Sequence, residues 1–198
     1  MRESVYNKNY HYSGHVKTMK EYEGSHVFHH TWQQIATAFW RKYPNKYSKH
    51  ILSEDIISRD IDHSTGQLVT KRLFVKTSSI PKWLHILVRT KRALIIEESF
   101  VDPIRQTLKT VTRNIGMTQL LSVEEVCVYK PHTETSSSVK SNGDQLQKEN
   151  NWTKLERKTI FDTKLTGLKR RALFKLVLER YKQNVRRTDS GFQQIINA

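Results

Sequence analysis

The first apolar pattern along the chain is that of an amphipathic helix. Trp32, Ile35 and Phe39 recur at spacings of three or four residues, which places them on one face of a predicted helix over Thr31–Tyr43. Pro44 predicts the end of this helix, because the residue before a proline is driven away from helical backbone angles.

Between Ile51 and Tyr129 the pattern changes to that of strands. Ile57, Arg59 and Ile61 alternate with polar residues, and short β-branched runs bounded by turn residues follow at hairpin spacing. This arrangement predicts an antiparallel meander rather than repeated β-α-β units. The other predicted strands are Ser25–His29, Leu68–Thr77, Ala93–Val101, Leu108–Thr112, Leu121–Tyr129 and Trp152–Phe161.

The C-terminal third contains a polar run and then a long helical pattern. The run His132–Asn151 predicts a solvated hairpin loop, because serine, asparagine and glycine favour turns over packed structure. Leu165–Asp189 predicts a helix, whose apolar stripe includes Leu173 and Tyr181. Together the elements predict one α+β domain, in which helices pack against an antiparallel sheet.

Charge and composition narrow the possible partners. The chain has 34 Lys and Arg residues against 19 Asp and Glu residues, a net charge of +15. Such a surplus attracts nucleic acid, an anionic membrane or an acidic partner. The N-terminal stretch 1–22 lacks the apolar core of a secretory signal and carries Glu3 and Glu21, which mitochondrial presequences usually avoid. We interpret it as an extension ahead of a domain at 23–198.

The sequence carries none of the usual enzymatic motifs. Seven glycines serve the whole chain, so no glycine-rich phosphate loop is available. The neighbouring carboxylates Glu97 and Glu98 point to opposite faces of a strand and cannot act as a facing pair, as is also true of Glu124 and Glu125. The single cysteine, Cys127, excludes an intrachain disulfide and is predicted to be a buried apolar residue. We therefore predict no catalytic residues, no metal and no cofactor.

The last predicted helix is rich in basic residues. Arg180 and Arg187 lie seven residues apart, which is two turns, at the edge of the stripe formed by Tyr181 and Val185. A basic rim beside an apolar interior suits an acidic lipid, because the phosphate pairs with arginine while the acyl chains are kept from water.

A mixed apolar and basic segment, Ile80–Arg89, lies between two predicted strands. One interpretation is a short helix that packs on the core. The other is a lid that contacts a membrane, with apolar side chains in the lipid interface and basic side chains at the headgroups. The residues expected to form this lid are Pro81, Lys82, Trp83, Leu84, Leu87 and Arg89.

Several of these stretches resemble the PRELI family of mitochondrial phospholipid carriers. The most specific is residues 38–50, AFWRKYPNKYSKH, where the family has an aromatic helix that runs into R-Y-P-N-P-Y-S-x-H-V-L. Lys46 replaces the second proline of that pattern. The resemblance covers roughly residues 23–196, and its other motifs follow in family order as Ile57-Ser58-Arg59, Arg72-Leu73, Pro81-Lys82-Trp83, Val101-Asp102-Pro103, Thr112-Arg113-Asn114, Val123-Glu124-Glu125 and Asn184-Val185.

This resemblance implies a fold and a ligand. The fold is a seven-stranded antiparallel curved sheet with a long C-terminal helix that encloses a lipid cavity, as in START-like and phosphatidylinositol-transfer proteins. The ligand is an acidic phospholipid, for which phosphatidic acid is favoured over phosphatidylserine. By matching motifs, the residues that bind the headgroup fall on Lys42, Lys76, Arg180 and Arg187. The resemblance also implies a location in the mitochondrial intermembrane space and a small twin-cysteine helical chaperone as partner.

Two other classes of function compete with the carrier. A nucleic-acid-binding domain would place aromatic and basic residues together on an exposed face, whereas Phe39, Phe74 and Tyr181 stand at core-facing positions in the pattern. A hydrolase on the same fold would need a nucleophile and a base within the cavity, and the sequence nominates no such pair. We therefore predict a carrier that docks on anionic membranes through its basic surface.

Overall fold

The computed structural model describes residues 19–43, 45–77, 92–118, 120–136 and 148–197. Its seven strands and two helices, in chain order, are β1 (Met19–Phe28), α1 (Trp32–Phe39), β2 (Ile51–Asp62), β3 (Gln67–Thr77), β4 (Arg92–Asp102), β5 (Thr107–Asn114), β6 (Ser122–Ser136), β7 (Lys148–Asp162) and α2 (Gly167–Ile196).

The seven strands form one curved antiparallel sheet in the order β1-β7-β6-β5-β4-β3-β2. Strands β2 to β7 follow one another as a meander, and β1 adds beside β7 at one edge. With α2 packed against this sheet, the predicted α+β class, seven-stranded antiparallel sheet and long C-terminal helix are confirmed.

Helix α1 forms where its apolar pattern predicts, but it is shorter than predicted. Thr31 caps it, since the Thr31 side chain accepts a hydrogen bond from the Gln34 backbone N–H and the Gln34 side chain accepts one from the Thr31 N–H. The helix ends at Phe39 rather than at Tyr43, since the backbone N–H groups of Arg41 and Lys42 bond to the carbonyls three residues back, those of Ala38 and Phe39.

The core lies between the concave face of the sheet and the two helices. Phe28 of β1, Tyr129 of β6 and Phe192 of α2 are almost fully buried, and the ring centroids of Phe28 and Phe192 are 5.5 Å apart. Phe39 of α1 completes this cluster at 6.3 Å from the Tyr129 ring. Aromatic side chains therefore join both helices to the sheet.

The hairpin between β6 and β7 is longer than predicted. Its pairing reaches Ser136 opposite Lys148, so residues 132–136 and 148–151 of that run belong to strands, and the prediction of a loop throughout was wrong. Polar residues can form these strand ends because the paired strands satisfy each other's backbone groups.

The first strand also begins earlier than the pattern indicates. Strand β1 starts at Met19 and includes Met19–Tyr22, which the sequence analysis assigned to the extension. Residues 1–18 lie outside the described part, and the division into an extension and a domain stays a prediction.

Candidate functional site

Lys42 is positioned by the turn that follows α1. The Asn45 side-chain amide donates to the Lys42 carbonyl at 2.7 Å, and the Asn45 carboxamide oxygen accepts from the backbone N–H groups of Tyr47 and Ser48, both at 2.8 Å. This turn leaves the Lys42 ammonium partly buried, 5.5 Å from the centroid of the Phe192 ring. A cation is thereby held against the aromatic core.

The surroundings of Lys42 keep it charged. Burial acts to lower its pKa, but the electrostatic influence of Tyr129, Tyr43 and Glu97 outweighs burial and raises the pKa above its ordinary value. Among the described residues, no carboxylate lies within ion-pair distance of Lys42. Lys42 is therefore a partly buried cation that is available to an anionic ligand.

Lys76 lies on the same concave face, near the end of β3. Burial lowers its pKa, and the charge of Glu125 only partly offsets this effect. Across the described ranges Lys76 also has no ion-pair partner within 4 Å. Its ammonium consequently lies in a poorly solvated place without a matched counter-charge.

His50 connects Lys76 to the last helix. Burial lowers the pKa of His50, and the positive charges of Lys76 and Arg187 lower it further. These three groups therefore share one neighbourhood between the end of β3 and α2. An anion bound there would meet the guanidinium of Arg187, the ammonium of Lys76 and the imidazole of His50.

The four predicted headgroup residues differ in burial. Lys42 and Lys76 are partly buried, whereas Arg180 and Arg187 are exposed on α2. Arg187 and Lys76 both lower the pKa of His50, whose carbonyl accepts a hydrogen bond from the Thr77 N–H at 2.8 Å at the end of β3. That all four bind a headgroup stays a prediction.

A buried ion cluster that the sequence analysis missed lies beside Lys42. Arg72 is 1% exposed, and its Nε donates to a Glu97 carboxylate oxygen at 3.2 Å while its Nη1 lies 2.5 Å from Glu54. The Phe39 and Phe74 rings flank the guanidinium at 4.6 and 5.2 Å. The signal that would have found it is the cross-strand register, which sets Arg72 opposite Glu97.

A second missed cluster fastens α2 to the sheet. Arg157 of β7 forms two hydrogen bonds with Asp189 of α2, at 2.9 and 3.3 Å, and its Nε lies 3.7 Å from a Glu125 oxygen. The Tyr181 hydroxyl donates to the same Glu125 carboxylate. Sequence spacing gave no sign of it because the partners lie 32 or more residues apart.

The neighbouring carboxylates Glu97 and Glu98 point to opposite faces of the sheet, as expected, and so do Glu124 and Glu125. Glu97 and Glu125 face the interior clusters, whereas Glu98 pairs with Lys71 at 3.0 Å and Glu124 with Arg113 at 2.7 Å on the other face. Cys127 is buried, and burial raises the pKa of its thiol, which keeps it protonated. Both predictions are confirmed.

Other features of the described part limit what the site contains. No cluster of three metal-ligating side chains occurs in the described ranges. No helix there has the length and apolarity needed to cross a bilayer. Two open depressions, of about 550 and 420 Å³, are not lined by the four headgroup residues. The predicted lid residues Pro81, Lys82, Trp83, Leu84, Leu87 and Arg89 lie outside the described part of the chain.

Comparison with known structures supports the fold. A crystal structure of the protein TTHA0849 from Thermus thermophilus matches with a TM-score of 0.53 at 12% sequence identity. The match covers 89% of this chain and 97% of the other. At this identity the likeness concerns the fold alone.

Known sequences resemble this chain more closely than that structure does. PRELI domain-containing protein 1, mitochondrial, of Bos taurus is 36% identical over 181 residues, which are 90% of this chain and 75% of that protein. Protein UPS1, mitochondrial, of Saccharomyces cerevisiae is 39% identical over 119 residues, 60% of this chain and 67% of that protein. The model of the PRELI-like family matches residues 33–198. Because that match spans most of the sequence, the chain belongs to the PRELI-like family.

Proposed function

We propose that this protein is a non-enzymatic carrier that moves phosphatidic acid between the outer and inner mitochondrial membranes, through the intermembrane space. The mitochondrial names of its relatives support the organelle. A small twin-cysteine helical chaperone is its proposed partner there, as the family resemblance implies.

The observation that carries this proposal is the pair of lysines on the concave face. Lys42 and Lys76 are turned toward the interior, and neither has an ion-pair partner among the described residues. The Lys76 ammonium is poorly solvated and has no matched counter-charge, which is costly. A bound phosphate would relieve that cost with a charge-assisted hydrogen bond, and Lys42 would supply it with a second cation.

Transport without catalysis is supported by the state of the interior groups. The carboxylates Glu97 and Glu125 are engaged by Arg72 and by Tyr181, and the Cys127 thiol is held protonated. These three groups, which could otherwise act as base or nucleophile, are thus committed to a structural contact or kept neutral.

The test is transfer of fluorescent phosphatidic acid or phosphatidylserine between two populations of liposomes, with the chain co-purified with a twin-cysteine chaperone. Lys76→Gln removes one proposed phosphate contact, and we expect transfer to fall by about tenfold or more, since a hydrogen bond to a charged group contributes roughly 1.5–3 kcal/mol. Arg180→Glu should lower transfer through its reversed charge.

Lys71→Gln is the matched control. It lies on the same strand but pairs with Glu98 on the opposite face, so it should leave transfer unchanged. Faster transfer of phosphatidylserine than of phosphatidic acid would replace the proposed headgroup. If neither lipid moves while the chain binds nucleic acid with steep salt dependence, the carrier proposal is wrong.

A further inference from the structure

Exposed aliphatic side chains lie at one end of the sheet. This is the end where β3 finishes and β4 begins, with Thr77 opposite Arg92, and where the β5–β6 and β7–α2 connections also lie. Leu168, in the first turn of α2, is 80% exposed, and Ile115, directly after β5, is 49% exposed. Neither side chain contributes to the core or to the headgroup site.

The two connections are held firmly in place. The Thr163 hydroxyl donates to the Leu120 carbonyl at 2.5 Å and so joins the β7–α2 connection to the β5–β6 loop. The Asn114 side-chain amide donates to the carbonyls of Gly116 and Leu121, at 2.8 and 2.9 Å, and closes that loop. The backbone that carries the aliphatic side chains is therefore held in place by hydrogen bonds.

The charged residues in the two segments that carry these side chains are all basic. No carboxylate occurs from Thr163 to Leu178, a stretch that carries five basic residues, and none occurs in residues 115–121. Positive side chains in the first turn of a helix oppose its dipole, so the stability of α2 does not explain them. We name as the loop-end surface the exposed residues Ile115, Lys164, Leu168, Lys169 and Arg171.

A second exposed apolar region differs in charge. Edge strand β2 exposes Leu52, Ile56, Ile57 and Ile61 by 50–58%, but four carboxylates and a single arginine accompany them. That strand would be repelled by an anionic surface. The combination of exposed aliphatic and exclusively basic residues distinguishes the loop-end surface.

We propose that the loop-end surface docks on anionic bilayers. Leu168 and Ile115 enter the interfacial region, while Lys164, Lys169 and Arg171 pair with lipid phosphates. This inference rests on the proposed carrier function, and it assigns a membrane contact to described residues apart from the headgroup site. It also directs the end of the sheet at which β3 and β4 are connected toward the membrane.

The experiment measures co-sedimentation of the full chain with two kinds of vesicle, phosphatidylcholine mixed with phosphatidylserine and phosphatidylcholine alone. We expect Ile115→Ser/Leu168→Ser and Lys169→Glu/Arg171→Glu each to weaken binding to the anionic vesicles by about tenfold or more. Ile104→Ser is the apolar control, because Ile104 is 87% exposed at the opposite end of the sheet. Lys182→Glu is the charge control, about 20 Å further along α2 at 1.5 Å per residue.

A second measurement separates this inference from the carrier proposal. Binding of water-soluble dihexanoyl phosphatidic acid, followed by calorimetry, requires the headgroup site but no membrane, so the loop-end variants should retain it. The inference would be overturned if the loop-end variants bound anionic vesicles as tightly as the two control variants do. The inference would also be overturned if Lys169→Glu/Arg171→Glu lost binding to both vesicles and RNA while Ile115→Ser/Leu168→Ser lost neither. That result would assign the surface to polyanions in general. Absence of soluble-lipid binding in the unmodified chain would instead contradict the proposed function.

Discussion

The ion pair between Arg157 and Asp189 gives the sharpest prediction for stability. Both side chains are largely buried, at 5% and 12% exposure, and their two hydrogen bonds tie β7 to α2. Asp189→Leu would leave the guanidinium buried without its main counter-charge. Breaking a buried pair in this way costs roughly 3–5 kcal/mol, and we expect the lower end, about 3 kcal/mol, because Glu125 remains 3.7 Å away.

The assay is urea unfolding of Asp189→Leu, of Arg157→Met and of the double variant Arg157→Met/Asp189→Leu. For a chain of this length, about 3 kcal/mol also corresponds to a fall in melting temperature of roughly 6–12 °C. The double variant should recover to within about 1 kcal/mol of the unmodified chain, since an apolar pair replaces the ions without leaving a charge unpaired. A loss below about 1 kcal/mol for Asp189→Leu, or a double variant as unstable as both singles combined, would refute this reasoning.

Three further predictions concern other parts of the fold. Gly191→Ala should lower the free energy of unfolding by roughly 1–3 kcal/mol, because the added Cβ would lie 3.1 Å from the Cβ of Tyr47. Ser190→Ala is the exposed control, and both variants are measured by urea unfolding. Thr31→Ala should cost about 1 kcal/mol in the same assay through loss of the α1 cap. His50 has a folded-state pKa below its ordinary 6.5, so the unfolded chain binds the proton more readily and stability falls as pH drops from 6.5 through the lowered pKa. His50→Gln should remove that fall, and unfolding titrations at several pH values that show the same fall in both chains would contradict this.

Most strands were predictable because their patterns are local. Alternation and β-branched residues located β3, β4 and β5 to within two residues at each end. The pattern indicates seven strands in an antiparallel meander, the same number that the family resemblance implies, but the place of β1 in the sheet was not predicted. Pairing between β1 and β7 joins distant parts of the chain, and no local pattern reports it.

The end of α2 shows why helix boundaries were harder to predict. The run Asp189-Ser190-Gly191 resembles a helix stop, so the predicted helix ended at Asp189, yet the observed helix continues to Ile196. Gly191 is inside the helix because Tyr47 packs against its backbone, where a side chain would collide. A tertiary contact therefore reverses what the local sequence indicates.

The candidate site was predictable only in part, for a similar reason. Family motifs indicated Lys42 and Lys76, which the structure places on one concave face. The clusters around Arg72 and Arg157 depend on which strands are neighbours and on where α2 crosses them. Spacing within one segment carries no such information.

The position of β1 beside β7 has a consequence for how the chain can fold during synthesis. Glu23 and Lys158, which face each other across these strands, are 135 residues apart in sequence. The first strand is synthesised early but has no partner until nearly the whole chain has emerged, because its neighbour is the last strand. Closing such a long loop is slow in comparison with forming the hairpins between successive strands from β2 to β7. We therefore expect the meander to form first and β1 to join late. Until β1 joins, the edge of β7 is open to pairing with another chain, so the incomplete sheet is more prone to aggregate than the complete one.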